Sequence, residues 1–340
     1  MLVAQGGHGG DAMVVMVVGG NGQLGSACCA ELLRRGVPVR ASVREARRGT
    51  TLQQAGVDVV ELDLTSGSDA RRRALEGAEC VILSANAVAP RPGDRPGLVD
   101  RAKVELVADA EAAGVRRVVL PSVPVTGVDD SVPLVRGRRE LEQRLLGSPM
   151  QSWVLRLPPF MDVWLALVGS SVPLRGEEHA TIGRPSPFLR HFRRATGRLV
   201  EDHGVMLVPG PATHRHAFIA VADAARASVE AAMRPEAAPR PVEVGGPEVL
   251  SWDDVAAVYA DVLGRRVRVL TTPAVVFAAA ARLLAPVADV PARTMALNRY
   301  LAESESPWTN AGGGLVDPAT MTRVDAFLRA KASLPDRPAG

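Results

Sequence analysis

Cysteine, lysine and aromatic residues are all scarce in this chain, and each scarcity removes a class of function. The three cysteines, Cys28, Cys29 and Cys80, are an odd number with no CxxC spacing. Neither a disulfide framework nor a metal site is supported, and a reducing, cytoplasmic setting is expected. Aromatic residues make up 4% of the sequence, too few for a base-stacking surface. The net charge is only +3 and the arginines are scattered among acidic residues, which argues against a nucleic-acid partner. No apolar run approaches the roughly 18 residues that span a bilayer. Met13 to Val18 is the length of a strand, and Ala274 to Ala281 stops at Arg282, so no membrane segment is expected. The start is glycine-rich and has no charged segment leading into an apolar run, so residues 1–12 read as a flexible leader and not as a signal peptide.

What the chain does contain is the composition of an ordinary globular protein, 47% hydrophobic and 23% charged over 340 residues. The length favours one large α/β unit, or a core with a smaller companion. Short apolar runs at Val14–Val18, Val37–Val43, Val57–Leu62, Cys80–Leu83, Val118–Leu120 and Trp153–Leu157 alternate with amphipathic stretches. That alternation predicts a Rossmann-type, doubly wound parallel sheet covered by helices on both faces. The helical stretches Leu24–Arg35, Leu98–Ala113 and Leu134–Leu146 each stop at a glycine, Gly36, Gly114 and Gly147, placed for a left-handed terminus. From Val168 to Pro211 the pattern dissolves into a proline- and glycine-rich stretch, long enough to shape or cover a site. Regularity returns with a strand at His216–Val221, a helix N-capped by Asp223, a strand at Val242–Val244 and a helix after Ser251. From Thr271 onward the tail reads as mostly helical. The expected organisation is a cofactor-binding core over residues 13–165, to which 216–247 return, and a smaller, mostly helical substrate-side region from 166–215 and 248–340. No heptad or exposed apolar stripe stands out, which leaves homo-oligomerisation open.

The motif with the clearest chemistry is Gly19-Gly20-Asn21-Gly22-Gln23-Leu24-Gly25, directly after the first strand and opening the first helix. It satisfies GxGxxG from Gly20 and GxxGxxG from Gly19. Glycines there permit a tight turn and let the backbone approach a pyrophosphate at the positive end of the helix dipole. An acid at the end of the second strand would bind a ribose 2′-hydroxyl, whereas an arginine accommodates a 2′-phosphate. This strand ends on Arg44, with Arg40 on the same face, so NADP(H) is the expected cofactor. The plainer alternative is that Arg44 faces solvent while Glu45 reaches the ribose.

At this point the sequence resembles the NmrA-like, or atypical extended, branch of the short-chain dehydrogenase/reductases. The likeness runs from about Met13 to Leu328. It includes the glycine loop, Val43-Arg44, Asp63-Leu64, Val118-Val119-Leu120-Pro121-Ser122-Val123 and Glu140-x-Glu142. It continues through Val154 to Met161, Phe218 to Ala225 and Gly245-Gly246-Pro247. The resemblance implies Asp63 and Leu64 beside the adenine, Ser84, Ala85, Asn86 and Ala87 beside the ribose and nicotinamide, and Pro158, Pro159 and Phe160 at the nicotinamide pocket. Asp63 reads equally well as a turn cap.

The chain departs from the wider pattern at catalysis. Short-chain dehydrogenases generally pair tyrosine and lysine as Tyr-x-x-x-Lys, the lysine lowering the tyrosine pKa for proton exchange with substrate. The only tyrosines here are Tyr259 and Tyr300, and the only lysines Lys103 and Lys331. Where the family often keeps a lysine, four residues before Glu142, the chain has Arg138, a fixed charge expected to position the cofactor or polarise the site but unable to donate a proton at neutral pH. Glu142 is also a ready i+4 partner that would make Arg138 an ordinary surface arginine. Ser122, at the family's strand-end serine, is the remaining polarising candidate, with Asp162 and His214 as outsiders beside His216. Three readings follow. The first is an NADPH-dependent reductase of a small, largely apolar organic substrate. The others are an isomerase or cyclase that keeps the nucleotide without net redox change, and a non-catalytic NADP(H)-sensing regulatory or assembly protein.

Overall fold

Strands buried on both faces need helices on both sides, and the computed structural model builds that arrangement. It describes residues 13–86, 96–181, 187–236, 240–286 and 288–335. The leader expected over 1–12 lies outside these residues, as does Ala87. Strands β1 (Val15–Val18), β2 (Val39–Val43), β3 (Asp58–Glu61), β4 (Cys80–Leu83), β5 (Arg117–Ser122) and β6 (Gln151–Arg156) alternate with helices α1 (Gln23–Arg34), α2 (Thr50–Gln54), α3 (Ser68–Leu75), α4 (Pro96–Ala112) and α5 (Pro133–Leu146). Beyond them lie α6 (Met161–Leu167), α7 (Pro187–Thr196), α8 (Leu199–His203), β7 (Val205–Pro209), β8 (Arg215–His216), α9 (Val221–Met233) and β9 (Val242–Glu243). The chain ends with β10 (Leu250–Ser251), α10 (Trp252–Leu263), β11 (Arg268–Thr272), α11 (Ala274–Leu284), α12 (Asp289–Ala302) and α13 (Val324–Ala332).

The main sheet has the order β3-β2-β1-β4-β5-β6-β9, and every pairing in it is parallel. The doubly wound α/β fold read from the sequence is therefore the fold of the chain. Because side chains alternate along a strand, Val15 and Val17 face one layer with Cys28, Leu32 and Ala224. Met16 and Val18 face the other, with Leu75, Leu106 and Leu141. Helices α1 and α9 pack together on the first face, and α4 packs on α3 and α5 on the second. A third core, built by Met161, Leu165, Phe218, Trp252, Tyr259 and Phe327, ties the segments after β6 to one another.

Several expectations change in detail. Of the three terminating glycines, Gly36 and Gly114 are left-handed at φ +68° and +78°, but Gly147 sits at φ −88°. There α5 closes through ordinary turn hydrogen bonds, Gly147 N–H to the Gln143 carbonyl and Ser148 N–H to that of Leu145. The strand expected at His216–Val221 is only Arg215–His216, and α9 begins at Val221 with Ala220, not Asp223, as its N-cap. The cap comes from another helix: the Asp162 carboxylate accepts from Val221 N–H at 2.8 Å. Asp223, already inside the first turn, holds Arg226 and the Thr322 amide. The stretch from Val168 to Pro211 contains α7, α8 and β7, and β7 pairs in parallel with β11, where the helical tail was expected to begin. Helix α11 buries none of its residues and exposes Val275 and Leu283 by 71% and 77%, an apolar surface the sequence reading did not expect.

Candidate active site

Parallel strands place all their carboxyl ends on one edge of the sheet, and open α/β sheets bind ligands in the crevice there. After β1 the chain turns at Gly19, whose φ of +87° is strained for any other residue. The turn is held by β2, with Gly19 N–H donating to Ser42 Oγ and Gly20 N–H to the Ser42 carbonyl. Gly25 is required for a different reason. A Cβ there would lie 2.2 Å from the Gly19 carbonyl oxygen and 2.7 Å from Ser84 Oγ, so the first turn of α1 can approach β1 only without a side chain. Gly22 caps α1 with no side-chain hydrogen bond, and the first turn carries no acid. The opening amides of the helix are thus left to a ligand.

Beside this loop lies a cavity of about 220 Å³. Its floor comes from the strand ends: Gly22, Gln23 and Leu24 after β1, Ser84 and Asn86 after β4, Pro121 to Pro124 around the end of β5, and Leu157 to Phe160 after β6. Its walls are Val135 and Arg138 of α5, Trp164 of α6, Leu189 of α7, and Val290, Thr294, Leu297, Asn298, Tyr300 and Leu301 of α12. Thr181 fastens the segment before α7 to the glycine loop, its N–H and hydroxyl both donating to Gln23 Oε1 at 3.1 Å.

The expected residues divide accordingly. Gly22, Gln23, Leu24, Ser84, Asn86, Ser122, Arg138, Pro158, Pro159 and Phe160 all meet at the cavity. Ala85 packs on Gly19 behind the loop. Arg44 is half-buried at the end of β2, whereas Arg40 is committed to Asp58 and the Glu76 carbonyl. Asp63 is exposed and caps its own turn by accepting from Thr65 N–H and Oγ1, and Leu64 is buried in the core. Asp162 and His214 are not in the cavity wall. Burial raises the Asp162 carboxyl to about 6 against the pull of the Val221 amide. His216 is buried against Phe218 and Trp252 with Nδ1 3.0 Å from Ser306 Oγ, and burial lowers its pKa to about 3.

Around Ser122 the polar groups form a closed network. Its hydroxyl donates to Glu142 Oε1, which also accepts from Arg139, and Glu142 Oε2 accepts from Arg156 at 2.9 Å. Arg139 continues to Asp129 and to the Val123 and Pro124 carbonyls. Arg138 takes no part. The i+4 pairing with Glu142 open to it in the sequence is not made, because Arg139 and Arg156 hold that carboxylate. Arg138 instead reaches the cavity, 8% exposed, and burial lowers its basicity while Asp100 and Glu142 oppose that.

Tyr300 was missed by sequence reasoning. It sits in the cavity wall with its hydroxyl donating to the Pro124 carbonyl, and burial raises its pKa. Lys103 was missed too: it is buried behind the wall, 2.7 Å from Asp100, and burial with the Arg138 charge brings it to about 8. The spacing of Val290, Thr294, Leu297, Asn298 and Leu301 on one helix face was the available signal for α12, but nothing local shows which site that face covers.

Residues 19–148 match the family model described as NAD(P)H-binding. This segment is an NAD(P)H-binding domain. It contains the glycine loop, the open amides of α1 and three of the four strand ends that floor the cavity, so the residues present fit the group. Over 255 residues the chain is 25% identical to an NAD(P)H azoreductase of Xenophilus azovorans, covering 75% of this chain and 76% of that one. The fold matches a triphenylmethane reductase of Citrobacter sp. solved with NADP(H), with a TM-score of 0.68 at 16% identity over 94% of this chain and 100% of that one. It also matches an NADPH-dependent quinone oxidoreductase of Escherichia coli, with a TM-score of 0.63 at 19% identity over 92% and 98%. The resemblance to the atypical short-chain dehydrogenase/reductases drawn from the motifs is borne out. No helix among the described residues is long and apolar enough to cross a membrane.

Proposed function

We propose that the chain is an NADPH-dependent reductase of a small, largely apolar organic molecule, working without a Tyr-x-x-x-Lys pair. The observation that carries the reading is the cavity beside the NAD(P)H-binding loop, walled by Val135, Leu157, Phe160, Trp164, Leu189 and Leu297. Such a concave apolar site suits a small ligand better than a protein surface. Azoreductase, quinone oxidoreductase and triphenylmethane reductase are names that share an unsaturated acceptor, which supports the same class here. In this reading residues 13–165 with 216–247 hold the cofactor, and 166–215 with 248–340 close over the substrate.

The nicotinamide, when bound, supplies the hydride. The protein's part is positioning. Gly19 to Gly25 and the start of α1 take the pyrophosphate, Arg44 the 2′-phosphate, Asp63 and Leu64 the adenine side, and Ser84, Ala85 and Asn86 the ribose. Pro158, Pro159 and Phe160, which line the cavity, would border the nicotinamide. Ser122 gives its proton to Glu142 and Tyr300 to the Pro124 carbonyl, so neither hydroxyl is poised as a donor. The proton that follows the hydride comes from solvent or from the substrate itself. Steady NADPH consumption with a quinone, an azo dye or a triphenylmethane dye tests the reading. Tight NADPH binding with no consumption across the three classes would instead favour the isomerase or sensor.

A further inference from the structure

A buried charge normally has a partner, because removing an ion from water costs several kcal/mol that only pairing offsets. Arg138 has none. It is the only charged residue lining the cavity among the described residues. It makes no ion pair or hydrogen bond there, and its Nη1 is wholly buried and unsatisfied. The carboxylates nearest to it are already committed: Glu142 to Arg139 and Arg156, and Asp100 to Lys103. Behind the wall, Lys103 is 2% exposed and lies within electrostatic reach of both Arg138 and Arg293, whose own Nη1 is buried without a partner. Arg293 meets one acid, Asp289, through Nε. The local balance is therefore positive.

The hydroxyls in the wall are already committed within the protein, and beside Arg138 the one other buried donor of the wall without a partner among the described residues is the neutral Gln23 Nε2. Ser84 donates to the Val18 carbonyl, Ser122 to Glu142, Thr181 to Gln23, Thr294 to the Val290 carbonyl, Tyr300 to the Pro124 carbonyl and Ser304 to the Leu301 carbonyl. An apolar cavity with satisfied hydroxyls and one unpaired guanidinium has a specific complement. We propose that Arg138, reinforced by Lys103 and Arg293, is an anion subsite for a carboxylate or sulfonate carried by an otherwise apolar substrate. The inference rests on the reductase reading for its substrate and sharpens it: the molecule is amphipathic, with its charge held beside α5. Binding supplies the pairing that the described wall residues do not, and a bidentate geometry suits a planar or trigonal oxyanion.

The test compares 2-naphthoate with 2-naphthamide, equal in shape and different in charge, by calorimetry on the full chain with and without NADP⁺. NADPH binding is measured separately, so loss of the cofactor reading and loss of the subsite are distinguishable. The parent is expected to bind naphthoate at least tenfold more tightly than the amide. Arg138→Met should erase that preference and leave amide binding intact, and Arg138→Lys should keep part of it. Equal affinities in the parent, no binding of either probe, or a preference that survives in Arg138→Met would each overturn the proposal. So would a Met variant that loses NADPH affinity tenfold while still preferring naphthoate, since the guanidinium would then belong to the cofactor.

Discussion

In the proposed reading Arg44 carries the choice of cofactor, by chemistry that a single substitution exposes. A guanidinium at the end of β2 adds charge-assisted contacts to a 2′-phosphate and nothing equivalent to a 2′-hydroxyl. The parent is expected to bind NADPH at least tenfold more tightly than NADH, about 1.4 kcal/mol. Arg44→Ala should lose that discrimination with NADH affinity little changed, as read by fluorescence titration, and equal affinities in the parent would remove Arg44 from this role. Single residues also mark where reading from sequence alone stops. Arg138 and Arg139 are indistinguishable in a string of letters, yet one is sealed into the Ser122–Glu142 network and the other faces the cavity unpaired. Helical spacing also allowed an Arg138–Glu142 pair; three-dimensional competition from Arg156, on a neighbouring strand, assigns that carboxylate elsewhere.

The β1–α1 unit was legible because its requirements are local: a buried strand, a turn that needs Gly19, and a helix that needs Gly25. Gly25→Ala is expected to destabilise the protein by roughly 1–3 kcal/mol or more, since its methyl would meet backbone oxygen and not a flexible side chain. Chemical denaturation measures this, and an unchanged midpoint would contradict the close approach of α1 to β1. The start of α9 was read less well because its cap is supplied across the fold, by Asp162 and not by a neighbour in sequence. That carboxyl titrates near 6 when folded and 3.8 as its ordinary value. The folded state therefore holds the proton more tightly, and this group's contribution is present below about pH 4 and lost as pH rises through about 6. Asp162→Asn keeps the acceptor for Val221 and removes the buried charge. Relative to the parent it should gain up to about 3 kcal/mol on moving from acid to neutral pH, and a difference that does not vary with pH would contradict the burial of an ionising Asp162.

Across the molecule, the first six strands follow from periodicity and the segments after β6 do not. Strands β1 to β6 announce themselves as short apolar runs, whereas β7 and β11 pair over a separation of more than fifty residues and look like loop and helix in isolation. The cavity inherits that division. Its floor is made by residues that the glycine loop and the motif order located, and its far wall by α12, whose Tyr300 and Asn298 arrive from the opposite end of the chain. In the proposed function this cavity delivers an apolar acceptor to a hydride held at the sheet edge. The direct measurement is a single turnover with NADPH deuterated on the transferring face of nicotinamide C4 and a triphenylmethane dye, whose central carbon retains what it receives. The expected result is loss of NADPH absorbance, with the deuterium recovered on that carbon. A product reduced without deuterium there, or NADPH that binds and is never consumed by any of the three acceptor classes, would contradict it.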